Sequence, residues 1–424
     1  MTTTTHGFGR SSQGIATLGG RPIPELLEES GVATPAYFYD LSGIRDRIRR
    51  LEAAFGAAPH LTAYAIKANS AGTIVRTLID AGAGIDAVSG GELELCQRLG
   101  LAPRKVVLSG VAKLDLEIDQ SLRADILAIQ AESVEELTRI EARAQALGTV
   151  ARVSLRVNPA VEIDSHAHVS TGHDKAKFGI LGRDLGAAFD KVQHTQHLKL
   201  VGVSTHVGSM LKATDPYLES ARVVCDAARE ALARGHQLEY VDFGGGYGID
   251  YGPGALPEPA SYVTAALRYL AERGLGHLML VVEPGRSMVG PFGILIARVV
   301  QEKQSGGAED ERRWLMIDAG MNDLLRPALY QAVHRIEPML TAPGGIPRRV
   351  VGPVCESTDD FGEFDFAAVP ELVVIRDTGA YGFTMASEYN GRALPAEVFV
   401  DDGRVVHVSP SPGVENWIAR RLRA

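Results

Sequence analysis

The chain is poor in cysteine, in tryptophan and in clustered charge. Among its 424 residues there are 3 cysteines and 2 tryptophans. Cys96, Cys225 and Cys355 are widely spaced and odd in number, which excludes a disulfide framework and a zinc-type ligand set. A reducing cytoplasm suits such a chain. The net charge is -9 and the basic residues are scattered, so the basic footprint of a nucleic-acid-binding protein is missing. No apolar run approaches the ~20 residues of a membrane span. The N-terminus, MTTTTHGFGR, lacks the apolar stretch of a signal peptide. Residues 1–12 hold mostly Thr, Ser and Gly, can bury little, and are expected to be disordered.

What is present is the balance of a folded globular chain, with 45% apolar and 22% charged residues over a length that suits two domains. From residue 36 to 290, short β-rich runs alternate with amphipathic helical patterns. The extended runs fall at 63–67, 85–89, 105–109, 126–130, 153–157, 200–206, 240–243 and 278–283. This α/β alternation predicts a parallel sheet with right-handed crossovers. Eight strands suit closure into a (β/α)8 barrel, although periodicity alone also admits an open doubly wound sheet. After residue 290 the texture changes. Runs at 294–300, 313–317, 348–351, 372–376 and 397–400 look extended, with turn signals such as SGG, PGG and DDG between them and no regular helices. A second, mostly antiparallel β domain is expected over 291–424, joined by part of the segment 13–35. The polar run 301–312 reads as a mobile hairpin loop.

Polar residues gather where the barrel strands end. Lys67 ends the first, Ser89-Gly90-Gly91-Glu92 follows the second, and Ser109-Gly110 the third. Arg156 and Asn158 stand at the fifth, His206 and Ser209 at the sixth, Gly244–Gly248 at the seventh, and Glu283 with Arg286 at the eighth. In a (β/α)8 barrel these ends share one face, where active sites sit. Singly, each has a mundane reading: Lys67 as a strand cap, His206 as a satisfied core histidine, Glu283 and Arg286 as a local salt bridge. Their recurrence around one rim outweighs those readings.

The run GGGYG lacks the spacing of a dinucleotide fingerprint, and no clear helix opens after it. Successive glycines instead let backbone N–H groups approach a phosphate. Ser209 and Arg286 add a hydroxyl and a guanidinium to the same anion. A phosphate site combined with a lysine, a histidine and a carboxylate suggests pyridoxal 5′-phosphate. The lysine would bond the cofactor, the carboxylate would keep the ring nitrogen protonated, and the histidine would stack on the ring. As a nucleophile Lys67 must reach its neutral form, which partial burial and a cationic neighbour favour.

The stretches YAIKAN, GIDAVSGGEL, HVGS, DFGGGYG and EPGR resemble the fold-type III pyridoxal-phosphate decarboxylases, from about residue 33 to 420. SGVAKLDLEI at 109–118, STGHDKAKFGI at 170–180, DAGMNDLLRPALY at 318–330, GPVCESTDD at 352–360 and GAYGFTMASEYNGR at 379–392 are similar to the diaminopimelate-decarboxylating branch of that group. The resemblance implies an alanine-racemase-like barrel followed by a β domain, with pyridoxal 5′-phosphate as cofactor and no metal. It implies decarboxylation of meso-2,6-diaminopimelate to L-lysine, the last step of lysine biosynthesis, in a cytoplasmic homodimer with shared active sites. Ornithine, lysine and carboxynorspermidine are the alternative substrates.

By position, the resemblance implies that Lys67 carries the cofactor, His206 stacks on its ring and Glu283 pairs with the ring nitrogen. Ser209, Gly244, Gly245, Gly246, Arg286 and Tyr381 would surround the phosphate. Arg286, Arg326 and Tyr330 would hold the substrate's distal carboxylate. Cys355, Glu356 and Tyr381 would come from a partner subunit, with Cys355 as proton donor and Glu356 on the distal ammonium. Two positions depart from the pattern: Ser204 replaces a histidine two residues before His206, and Met210 replaces a glutamine.

Overall fold

The computed structural model describes residues 6–159, 177–252, 254, 256–307 and 311–423. The chain forms two compact units. One is Arg47–Ile249 with Ala255–Met288; the other is Met1–Asp46, Asp250–Gly254 and Val289–Ala424.

The first unit is a closed barrel. Its parallel strands are His60–Ala65, Gly84–Ala87, Val106–Leu108, Ala128–Ala131, Ala151–Arg156, Leu198–Ser204, Tyr240–Asp242 and Met279–Val282. The eighth pairs with the first, Leu280 opposite His60, which closes the sheet. Strands buried on both faces need apolar residues at successive positions, hence runs such as VVL and MLVV. Leu61, Val107, Val201, Tyr240 and Val281 fill the interior. The helices between strands begin abruptly. Ser89 and Ser133 cap Gly90–Arg98 and Val134–Ala146 by accepting from the N–H groups of Glu92 and Glu136. Ser89 and Glu92 therefore serve the helix start. Strand ends and helix starts share one rim.

Except for the fourth, the strands stop earlier than their β-rich runs. Lys67 does not end a strand but lies in a single 3-10 turn, Ile66–Ala68, and His206 and Glu283 also follow their strands. The pairing ends where the backbone turns onto the rim, although residues of high β propensity continue.

The second unit is a nine-stranded sheet with a small three-stranded one. Ala36–Asp40, expected at the start of the barrel domain, belongs here. It runs antiparallel to Gly293–Ser305 and parallel to Ala396–Asp401. A buried run followed by a helix has the same local pattern in either sheet, and only the distant partner differs. Ile23, Leu26, Phe38, Ile294, Val374 and Val398 form the core. Strands Ile336–Pro338, Asp360–Phe366 and Arg404–Ser409 and the helix Gly413–Leu422 add to the expected elements.

The run 301–312 is not simply a loop. Gly293–Ser305 extends into it and pairs with Arg312–Ile317, from Gln301 opposite Met316 to Ser305 opposite Arg312. Polar residues lie on both faces of this ribbon, so no alternation marks it. Residues 308–310 lie outside the described set. The expected disorder of residues 1–12 is likewise corrected for 6–12. Phe8–Arg10 pairs with Ala16–Leu18, and Arg10 donates to Glu337 Oε2 at 2.7 Å and to the Pro338 carbonyl at 2.9 Å. The Arg376 guanidinium covers the Phe8 ring at 4.4 Å. Phe8 and Arg10 help to tie the segment down. Residues 1–5 lie outside the described set. Among the described residues no helix is long and apolar enough to cross a membrane.

Glu397, on the strand next to one edge of this sheet, accepts from the Tyr39 hydroxyl at 2.9 Å, and burial pushes its carboxyl up to about 7. The unfolded carboxyl ionises near 4.5. Between those values the unfolded chain releases a proton that the folded chain keeps, so this group's contribution to stability falls as pH rises. Glu397→Gln keeps the acceptor and removes the titration. Relative to this variant, wild type is expected to lose roughly 3 kcal/mol between pH ~4.5 and ~7. Urea midpoints at the two pH values test this, and identical pH slopes would contradict it.

Candidate active site

Three buried carboxyls meet at the barrel rim. Asp86 lies on the second strand, Asp242 ends the seventh, and Glu283 follows the eighth. Gln130, on the fourth, places its amide nitrogen 2.8 Å from Asp242 Oδ2 and 2.8 Å from Glu283 Oε1. The two hydrogens of that nitrogen serve one carboxyl each. Asp242 also accepts from the Gly244 N–H at 2.8 Å, and Asp86 accepts from the Ser109 hydroxyl. Burial, then the charges of Asp242 and Asp86, push Glu283 well above the usual carboxylate range, and burial pushes Asp242 up to about 6. Carboxylates this close in a dry site resist ionising together. Ionising Glu283 is therefore costly and is eased by a nearby cation.

Lys67 is the ammonium beside this cluster, with Nζ 3.7 Å from Asp86 Oδ2. Its turn is fixed from below. Tyr64 donates from its hydroxyl to the Asn69 carbonyl at 3.0 Å, and Asn69 Oδ1 accepts from the Ala71 N–H at 3.0 Å. The Lys67 side chain is 42% exposed and faces a carboxylate. A rim turn projects its side chain into the barrel mouth, where a strand position would have packed it in the wall.

His206 is neutral. Loss of water around it, then the charges of Arg156 and Lys67, hold it well below the usual histidine range. The Gly245 N–H points at its Nδ1 at 3.5 Å. Nδ1 thus presents a lone pair and Nε2 carries the hydrogen. Arg156 itself is ion-paired with Glu132 at 2.7 Å, and Asn158 donates to the Phe178 carbonyl at 2.9 Å.

The glycine run packs backbone against backbone. A Cβ on Gly245 would lie 1.9 Å from the Glu283 carbonyl, and one on Gly246 would lie 2.2 Å from the Gly208 carbonyl. Gly244 and Gly246 have φ of +69° and +92°. Beneath the run, Tyr247 stacks on Tyr262 with centroids 4.5 Å apart, and its hydroxyl meets that of Tyr217 at 3.1 Å. Arg286 donates to the Ser209 hydroxyl at 3.1 Å. Lys67, His206, Ser209, Gly244, Gly245, Gly246, Glu283 and Arg286 thus share one rim of one unit.

The residues fit pyridoxal phosphate. Side-chain-free backbone, a hydroxyl and a guanidinium suit the phosphate. The buried acid cluster suits a protonated ring nitrogen, and Lys67 supplies the amine.

Arg326, Tyr330, Cys355, Glu356 and Tyr381 lie in the other unit. Arg326 is buried and opens the helix Arg326–Tyr330. Cys355 and Glu356 are exposed on a loop that Asp359 pins, its carboxylate accepting from the N–H groups of Met321 and Val354, each at 2.6 Å. Cys355 donates its N–H to Asn390 Oδ1 at 2.9 Å, and Glu356 accepts from the Tyr389 hydroxyl. Tyr381 has φ +56°, a left-handed backbone that is uncommon for a bulky residue and concentrates at functional sites. Of the stretch 170–180, residues 170–176 lie outside the described set. Ser204 is buried in the barrel wall.

Sequence reasoning passed over Asp86, Gln130 and Asp242. Asp86 and Asp242 stand inside GIDAVSGGEL and DFGGGYG, which were read for their other residues. The available signal was an acid inside a fully buried strand, a costly placement that points to function. Asp359 and Asn390 gave no such signal.

The family described as "Pyridoxal-dependent decarboxylase, pyridoxal binding domain" matches residues 41–290. The diaminopimelate decarboxylase of Neisseria meningitidis serogroup B is 37% identical over 95% of this chain and 95% of its own. Among solved structures, diaminopimelate decarboxylase of Helicobacter pylori complexed with L-lysine has a TM-score of 0.87 at 35% identity, covering 94% of this chain and 99% of that one. That of M. jannaschii, also with L-lysine, has a TM-score of 0.91 at 32% identity, covering 100% and 99%. The chain belongs to the diaminopimelate decarboxylase family of pyridoxal-phosphate-dependent decarboxylases.

Proposed function

We propose that the chain removes CO2 from the D end of meso-2,6-diaminopimelate and releases L-lysine, the last step of lysine biosynthesis. The observation that carries this reading is the buried Asp86–Asp242–Glu283 cluster beside Lys67. When bound, pyridoxal phosphate supplies an electron sink for the pair left behind by departing CO2. Glu283 holds the proton at the ring nitrogen, backed by Gln130. Lys67 Nζ would hold the cofactor and would give way to the substrate amine. Neutral His206 offers a flat, uncharged face for the ring. Ser209, Gly244, Gly245, Gly246, Arg286 and Tyr381 bind the phosphate.

The substrate has two amino-acid ends, so selectivity requires one end to be clamped. Arg286, Arg326 and Tyr330 take the distal carboxylate, for which a planar guanidinium is suited. Glu356 takes the distal ammonium, and Cys355 Sγ returns a proton to Cα. We further propose that Cys355, Glu356 and Tyr381 serve the partner's site in a homodimer. The exposure of Cys355 and Glu356 on a pinned loop supports this. A cytoplasmic location is in keeping with three unpaired thiols, one of them exposed.

Three experiments follow from these roles. Gly245→Val places a branched side chain against the Glu283 carbonyl. It is expected to weaken cofactor binding at least about tenfold in a titration of the cofactor-free protein, with the fold verified by circular dichroism. Unchanged affinity would remove this loop from the phosphate site.

The second compares kcat/KM for three substrates. Losing a charge-assisted contact costs ~1.5–3 kcal/mol, or about tenfold or more. Diaminopimelate is therefore expected to exceed lysine by at least about tenfold, with ornithine poorer still, being shorter. Arg326→Ala is expected to shrink that preference by damaging diaminopimelate turnover. Equal or better use of lysine or ornithine by wild type would overturn the substrate assignment.

The third mixes inactive Lys67→Ala with inactive Cys355→Ala. Shared sites predict that part of the activity returns through hybrid dimers. No recovery, with subunit exchange demonstrated, would show that each chain builds its own site.

A further inference from the structure

Two of the groups that hold Arg326 carry no charge. Arg326 donates from one terminal nitrogen to Nε2 of His334 at 2.7 Å. His334 is fully buried, and its Nδ1 lies 2.8 Å from the Arg376 carbonyl. A carbonyl only accepts, so Nδ1 carries the hydrogen. The uncharged ring then has a bare lone pair at Nε2, which is what a guanidinium N–H requires. A protonated ring would set N–H against N–H. The second group is Tyr251, whose ring centroid lies 4.7 Å from the Arg326 guanidinium carbon. Tyr251 also meets His334 edge to face, at 5.1 Å and 76°.

The support is itself fixed. Tyr251 belongs to Asp250–Gly254, which is part of the same compact unit as Arg326. Arg335 donates to the Asp250 carbonyl at 2.9 Å and to Asp377 Oδ2 at 2.6 Å, which holds that short segment in place.

A carboxylate in the place of His334 would orient Arg326 equally well. It would also neutralise the guanidinium and compete with an incoming anion. A neutral nitrogen and an aromatic face fix the plane of the guanidinium and leave its charge uncancelled by them. We propose that His334 and Tyr251 are positioning residues that aim Arg326 at the second carboxylate of the substrate, and so set the preference for a substrate with two carboxylates. This rests on the reading of Arg326 as the carboxylate clamp.

The test compares L-lysine with 1,5-diaminopentane, which keeps the lysine carbon chain and both amines but has no carboxylate. Binding of each to the holoenzyme is measured by calorimetry, with KM and kcat for diaminopimelate alongside. His334→Leu is expected to weaken lysine at least about tenfold and to fall on KM more than on kcat. Binding of 1,5-diaminopentane is expected to hold, which also shows that the site is folded. His334→Gln, which keeps an acceptor near the Nε2 position, is expected to recover part of the loss. Tyr251→Leu is expected to weaken lysine about two- to fivefold.

Equal weakening of both ligands by His334→Leu would overturn the proposal. So would unchanged lysine binding in that variant while Arg326→Gln weakens lysine alone. If Arg326→Gln leaves the ratio of the two ligands unchanged, the clamp reading itself fails and the positioning role falls with it.

Discussion

Three carboxyls buried around one amide are the constraint on which the site depends. Asp86, Asp242 and Glu283 lie where strand ends exclude water, and Gln130 can satisfy only two of them at once. Such a cluster is costly to ionise, and the cost falls if a cation is supplied. Lys67 is placed to be one cation, and a protonated ring nitrogen is a second. The barrel makes the arrangement possible because its parallel strands end on one rim. Four separate strands thereby deliver four polar side chains to a single spot.

The rest of the rim is built for rigidity. The glycine run touches the end of the eighth strand backbone to backbone, and stacked tyrosines support it. His206 stays uncharged because burial strips its water and the charges of Arg156 and Lys67 add to the effect. In the other unit the same economy recurs around Arg326, which a neutral histidine and a tyrosine ring help to hold. In each unit, groups without charge orient the groups that carry it.

Much of this was legible in the sequence, and the limits have physical causes. The barrel was visible because strand-helix alternation is a local pattern. The assignment of Ala36–Asp40 was not, because a buried strand before a helix looks alike in either sheet and its partners lie hundreds of residues away. Lys67, His206, Ser209, Glu283 and Arg286 stood out because each follows a strand. Gln130 did not, since its partner Glu283 is 153 residues distant and a glutamine in a strand carries no signal by itself. His334 was hidden for the same reason. Its role comes from a neighbour it meets only in the folded chain, and its proton position is set by a backbone carbonyl.

The buried cluster is proposed to keep the cofactor's ring nitrogen protonated. The direct measurement is the 15N chemical shift of that nitrogen, with ring-labelled pyridoxal phosphate bound to the protein and pH raised stepwise. The cluster predicts a protonated nitrogen at neutral pH and above in wild type, and a nitrogen that has lost its proton in Glu283→Gln. An unprotonated nitrogen in wild type at neutral pH would contradict it.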